Sequence, residues 1–293
     1  MPKRKIAPDS IGQLAAGYKG SVEGLKRLGS AHPSVRHIID VVEHLQARPY
    51  STNAVIAGEP GTGKEGLAHT LHELMHPDGD APIVQVATAG RDPDVIAGEL
   101  FGRGPSARGE RPMDGAIARA DGGTLVLDEV IGLAPSLQRR LLELTKKGRY
   151  TRDNEERERR AQLNIFILTD GNLQAEVQAG RFRHDLYFKL ARLVVALPPL
   201  RERPEDLPSA AAWMANRVLS ARNRSPDVEL EPPPGDAPLA ADAIVLRREA
   251  IEALRKHKWS GNFRELEAVI ERALLLYSDG KQITAQDINR ALI

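Results

Sequence analysis

The stretch Ile56-Ala57-Gly58-Glu59-Pro60-Gly61-Thr62-Gly63-Lys64-Glu65 constrains this chain more than any other. It follows the apolar run Asn53-Ala54-Val55-Ile56-Ala57 and leads into Leu67, Ala68, Leu71 and Leu74, which share one helical face. A buried strand, a glycine-rich turn and a helix make the setting in which Gly-x-x-x-x-Gly-Lys cradles phosphates. Glycine lets successive backbone N–H groups face inward, where a side chain would block the approach. The helix N-terminus adds partial positive charge, and Lys64 is expected to reach the outer phosphates. Residues Gly58, Glu59, Pro60, Gly61, Thr62, Gly63, Lys64 and Glu65 are therefore candidate nucleotide-binding residues; the plain alternative is an ordinary glycine turn before a helix. Glu65 occupies the place where P-loops generally carry Ser or Thr for magnesium.

A second segment, Thr124-Leu125-Val126-Leu127-Asp128-Glu129, reads as a buried strand ending in two carboxylates. A parallel strand delivers its last side chains to the carboxyl edge of the sheet, where a P-loop also opens. Asp128 is the candidate magnesium ligand there, directly or through water. Glu129 is the candidate base for an attacking water. Further apolar runs at 82–88, 164–169 and 192–197 alternate with helical patterns, which predicts a parallel sheet covered on both faces. One such helical face, Val35, Ile38, Ile39, Val42 and Leu45, precedes the P-loop; another holds Leu137, Leu141, Leu142 and Leu144. Pro198-Pro199 then breaks the chain before a linker at 200–206, and beyond it the pattern is helical at 206–222, 247–257, 263–277 and 284–293. Thr284 with Asp287 makes a helix start. The expected fold is α/β, a nucleotide-binding parallel sheet between helix layers, with a C-terminal helical lid. The expected divisions are a tail at 1–28, the α/β subdomain at 29–203 and the lid at 204–293. The charged run 152–160 reads as a solvated turn, and 225–242, with its Pro232-Pro233-Pro234-Gly235, as a flexible insertion.

Composition bounds the partners. Lys+Arg 41 against Asp+Glu 40 leaves no global basic field for nucleic acid, which argues against direct action through Arg103, Arg108 and Arg111. The basic start, Met1-Pro2-Lys3-Arg4-Lys5, is a solvated tail or a nucleic-acid arm. Cysteine is absent, which removes disulfides, thiolate metal sites and cysteine nucleophiles and suits a reducing compartment. No apolar run approaches the roughly 18 residues needed to span a membrane. The expected location is cytoplasmic.

With both segments placed, the chain resembles one family. Its 58–65 string is similar to the "GESGTGKE" of the AAA+ domain in bacterial sigma-54-dependent transcription activators. Glu99-Leu-Phe-Gly102 and the 120–129 string resemble "ELFG" and "ADGGTLFLDE". Arg181-Phe-Arg-His-Asp-Leu-Tyr187, Leu197-Pro-Pro-Leu-Arg-Glu-Arg203 and Trp259-Ser-Gly-Asn-Phe-Arg-Glu-Leu266 resemble "RFREDLY", "LPPLRER" and "WPGNVREL". The resemblance runs in order from about Leu28 to the C-terminus. It implies a ring, commonly a hexamer, with ATP and Mg2+ bound between neighbouring subunits and transcription as the regulated process. It further implies that Arg264 is the lid arginine that touches its own subunit's phosphates, and that Arg183 is an arginine finger reaching the next subunit's site.

Departures from the family pattern gather on mechanism. The sigma-54-contacting "GAFTGA" loop is replaced by a shorter 103–114 segment without the Phe-Thr pair, which argues against sigma-54 remodelling. The second finger position aligns with Lys189, which keeps charge but lacks a planar fork. The asparagine that restrains the catalytic glutamate aligns with Ala87. The phosphate-sensing asparagine aligns with Asp170, and Asn172 is its possible substitute if the turn shifts. Two functions stay open: a ring-forming ATPase that regulates transcription, or an ATP-gated oligomeric scaffold with little turnover acting on a regulatory partner other than sigma-54. The chain ends just past the lid with no DNA-binding domain, so promoter choice is expected to need a partner or a longer polypeptide.

Overall fold

The computed structural model describes residues 33–47, 52–105, 111–221, 228–231 and 244–292. The tail at 1–28, Arg108 at the centre of the 103–114 segment and most of the 225–242 insertion lie outside the described residues. The described chain groups into two compact units, one holding Ile38–Gly58 and Lys64–Leu197, the other Glu59–Gly63 and the chain from Pro198 onward.

The first unit is built on strands β1 (Ala54–Ala57), β2 (Ile83–Ala87), β5 (Thr124–Asp128), β8 (Asn164–Thr169) and β9 (Leu193–Ala196). They form a five-stranded sheet in the order β2-β5-β8-β1-β9, parallel throughout. All six residues of β8 are buried, as continuous apolar strands covered on both faces require. Leu100, Phe101, Ile117, Leu125, Leu127, Ile165, Ile167, Leu141 and Leu186 join in one core. The chain leaves β1 for the far edge, returns strand by strand to β8 beside it, and then adds β9 on its other side. The order thus reverses at β1, and ligands of open α/β sheets lie at the carboxyl ends of strands at such a point.

Two short antiparallel pairs belong to the same unit. β3 (Gly102–Arg103) pairs with β4 (Met113–Asp114), which brings the described ends of the 103–114 segment together. The run expected to be a solvated turn at 152–160 is instead pinned. β6 (Arg149–Tyr150) pairs with β7 (Arg159–Arg160), Arg152 pairs with Asp114, and Arg140 reaches Asp153 at 2.6 Å. Opposite charges at the right spacing closed these contacts, and sequence alone does not reveal which charges will find one another.

The second unit carries helices Leu207–Ala221, Arg248–Lys256, Asn262–Arg272 and Ala285–Ala291, with a π-turn over Ala273–Tyr277 ending the third. Trp259, Phe263, Leu266 and Leu254 are fully buried in it. Thr284 and Asp287 form the expected helix start, with reciprocal side-chain-to-backbone hydrogen bonds. The lid is not wholly helical: β10 (Val228–Leu230), β11 (Ile244–Leu246) and β12 (Gln282–Ile283) form a small parallel sheet. Each strand has at most three residues, too short for an alternation signal. The expected linker at 200–206 is likewise ordered, as two 3-10 turns around the fully buried ion pair Arg203–Asp206.

One buried histidine of the first unit is expected to make stability depend on pH. His72 lies on the helix Lys64–Met75, with Nε2–H directed to the Ala81 carbonyl at 3.2 Å and Nδ1 placed 2.8 Å from the Thr124 hydroxyl. The carbonyl can only accept, so Nε2 carries the proton of the neutral ring and Nδ1 is left to accept from the Thr124 hydroxyl. Burial, helped by the neighbouring charge of His76, pushes its pKa down to about 4. An unfolded histidine takes up a proton below about 6.5, so stability falls as pH drops from that value toward 4. We expect a loss of roughly 2 kcal/mol between pH 7 and pH 5 from this residue. Urea unfolding at both pH values should show a wild-type slope that His72→Gln reduces by that amount; identical slopes would exclude it.

Candidate nucleotide site

Three strand ends of the first unit converge on one cluster. The helix Lys64–Met75 begins after β1, and the Lys64 side chain, 9% exposed, points back to donate to the Gly58 carbonyl at 2.6 Å. The Lys64 ammonium also forms an ion pair with Asp170, the residue just past β8. Asp128 ends β5, in register with Leu168 of β8, and Glu129 follows it with φ at +58°. The Asp170 N–H donates to Glu129 Oε1 at 2.6 Å. Lys64, Glu129 and Asp170 are thereby joined in one hydrogen-bonded group, with half-buried Asp128 adjacent in the chain.

Burial raises the Glu129 pKa above the ordinary carboxylate range; the Asp170 N–H opposes this, the Asp170 charge adds to it, Lys64 opposes it and Asp128 adds to it. A carboxylate so placed is a stronger base than one in water once ionised. Thr88, which the motifs did not single out, anchors the same corner. Its N–H donates to the Asp128 carbonyl at 2.9 Å, and its hydroxyl lies 2.6 Å from the Glu129 carbonyl. Ala87 is exposed beside it, so the hydrogen bond that an asparagine would give is replaced by backbone restraint from Asp170 and Thr88.

Residues Glu59–Gly63 are organised within the second unit. The Arg201 guanidinium grips the Glu59 carboxylate at 2.6 and 2.8 Å, which holds that carboxyl below its usual range. Asn262 donates to Glu59 at 3.3 Å and to the Pro60 carbonyl at 3.0 Å, and accepts the Leu200 N–H at 2.7 Å. Arg203 donates to the Thr62 carbonyl and lies over the Phe263 ring. The Phe263 N–H donates to the Gly61 carbonyl at 3.0 Å. Gly61 has φ of +78°, and a methyl group built on it would come within 2.3 Å of the Gly261 carbonyl oxygen. Only glycine meets both demands. Arg264 is exposed, with its Cβ 3.2 Å from where a Gly61 Cβ would stand. Arg201, Arg203 and Asn262 sat in quoted motifs without a role; the acidic Glu59 inside the glycine turn was the one signal for a cation opposite it.

Other predicted residues make contacts of their own. Arg183 caps the helix His184–Leu190 and is exposed, its guanidinium on Asp185 at 2.9 and 3.0 Å. Lys189 is exposed on the same helix. Asn172 caps the helix Leu173–Gln178 by accepting the Ala175 N–H at 3.1 Å, so Asp170 is the residue at Lys64. Glu65 is exposed and accepts from Gln85 at 3.4 Å. Among the described residues no group of three or more His, Cys, Asp and Glu side chains is arranged to hold a metal by itself. The hard oxygen of Asp128 nonetheless suits Mg2+, which commonly takes one or two carboxylates and completes its shell with phosphate and water.

The sheet order, the glycine loop before Lys64 and the two carboxylates after β5 define an AAA+ P-loop protein. A model of the sigma-54 interaction domain matches residues 28–196, and one of the AAA+ ATPase lid domain matches 239–293. The chain belongs to the sigma-54 interaction domain family. It is 32% identical over 259 residues to a Nif-specific regulatory protein of Klebsiella pneumoniae, covering 88% of this chain and 45% of that one. It is 32% identical over 258 residues to the transcriptional regulatory protein XylR of Pseudomonas putida, covering 87% and 42%. The chain therefore spans about half the length of the curated relatives it matches. The crystal structure of Brucella abortus NtrX in complex with ATP superposes with a TM-score of 0.72 at 25% identity, covering 88% of this chain and 53% of that one. No helix of the described residues is long and apolar enough to cross a membrane.

Proposed function

We propose that the chain binds Mg-ATP at Gly58, Lys64 and the carboxylates at the end of β5, and hydrolyses it in a ring of like subunits to act on the transcription machinery. The observation that carries this reading is the convergence of Lys64, Asp128 and Glu129 at the carboxyl edge of the sheet where its strand order reverses. Lys64 would hold the outer phosphates, and Asp128 would hold Mg2+, which supplies charge neutralisation for phosphoryl transfer. Glu129 would take the proton of the attacking water. Arg264 would touch the subunit's own phosphates and Arg183 a neighbour's. The ATP-bound NtrX neighbour and the family membership support the nucleotide.

A second reading, an ATP-gated scaffold with slow turnover and a partner other than sigma-54, is favoured by the Lys64–Asp170 pair and by Ala87 and Lys189 at the positions named above. Calorimetry with Mg-ATP tests what both readings share. Lys64→Ala should weaken binding about 10- to 100-fold, the worth of a charged hydrogen bond. No binding by folded wild-type protein would overturn both. Phosphate release then separates them: turnover identifies the ATPase, assembly without turnover the scaffold.

A further inference from the structure

Resting on that nucleotide site, we infer that Asp170 makes the chain discriminate against nucleoside triphosphate in favour of diphosphate. The Lys64 ammonium engages the Gly58 carbonyl at 2.6 Å and the Asp170 carboxylate. Asp170 is placed for this by the sheet. β8 runs between β1 and β5, Thr169 is in register with Ala57, and its carbonyl accepts the Gly58 N–H at 3.1 Å. The residue after Thr169 must then emerge beside the start of the glycine loop.

The lysine of such a loop serves the β- and γ-phosphates. A terminal phosphate seeking this ammonium meets a carboxylate already on it. It also meets Glu129, held at 2.6 Å by the Asp170 N–H, and Asp128 next in the chain. A diphosphate brings no γ-phosphate, and its β-phosphate can share Lys64 with Asp170. A triphosphate adds charge where carboxylates already gather, in a corner where Lys64 is largely buried and poorly screened. The side chain of Asp170 is 39% exposed, so it can swing aside, and its displacement weakens triphosphate binding without abolishing it.

Asparagine at this place keeps the shape and an oxygen for the Lys64 ammonium but removes the charge. Titrating wild type, Asp170→Asn and Asp170→Glu with ADP and with a non-hydrolysable ATP analogue, each with Mg2+, tests the inference by calorimetry. Asp170→Asn should tighten the triphosphate analogue about 10-fold relative to ADP, the scale of one charged contact. Asp170→Glu, which retains the charge, should keep the wild-type preference. A ratio of affinities unchanged in Asp170→Asn, or shifted equally by both variants, would overturn the inference while leaving the nucleotide site standing. Binding of neither ligand by any of the three folded proteins would overturn the site and the inference together.

Discussion

Arg183→Ala is expected to lower ATP turnover by about 10³-fold or more while leaving the fold and nucleotide binding intact, if each site in the ring is completed by a neighbour's arginine. The guanidinium is exposed and its partner is Asp185, two residues along the same chain. A solvent-exposed pair of this kind contributes little to stability, so the substitution should fold. The backbone at this position is held separately, by the Arg183 N–H donating to Gln138 Oε1 at 2.8 Å, and survives truncation of the side chain. Mixing provides the sharper test. Arg183→Ala subunits retain a P-loop and Lys64→Ala subunits retain the arginine, so a mixture should regain turnover that neither variant has alone. Steady-state phosphate release that is unchanged in Arg183→Ala would remove the residue from the mechanism. Lys189→Ala should cost less, because a point charge on a flexible stem grips two oxygens less well than a planar fork.

The second large effect belongs to Glu129. Glu129→Gln should reduce phosphate release about 10²- to 10⁴-fold, the contribution typical of a positioned general base, with nucleotide affinity little changed. Glutamine can still accept the Asp170 N–H that holds Glu129 at 2.6 Å, so the corner keeps its shape. The wild-type pH profile adds a signature. Burial raises the Glu129 pKa, and only the ionised form can take a proton. Turnover should therefore rise with pH through a midpoint above the ordinary carboxylate value of 4.5, and that acid limb should vanish in Glu129→Gln. Full activity in the variant would assign the base elsewhere. Equal loss of binding and turnover would mean that the carboxylate serves the ligand rather than the water.

Much of the first unit could be read along the chain, because its signals are local and strong. Strands β1, β5 and β8 are apolar runs bounded by turns, and the helix Pro135–Lys147 starts on proline, ends on Gly148 and buries Leu137, Leu141, Leu142 and Leu144. The smaller elements were not legible. Three strands of two or three residues in the lid carry no periodicity, and the 149–160 hairpin is pinned partly by pairs from outside it, Arg152 with Asp114 and Asp153 with Arg140. The same holds for Thr88, whose hydroxyl becomes important only because β2 and β5 lie side by side with Ala87 opposite Asp128.

Sequence alone determined that a glycine loop, a lysine and two strand-end carboxylates exist at spacings suited to a phosphate ligand, since each is a local pattern of residue types. Tertiary structure decided what those groups touch. Asp170 stands 106 residues from Lys64 in the chain, and only the parallel pairing of β8 with β1 brings its carboxylate onto the lysine and its amide onto Glu129. Charge attraction acts through space rather than along the chain, so the partner of the P-loop lysine was set by the order of the strands.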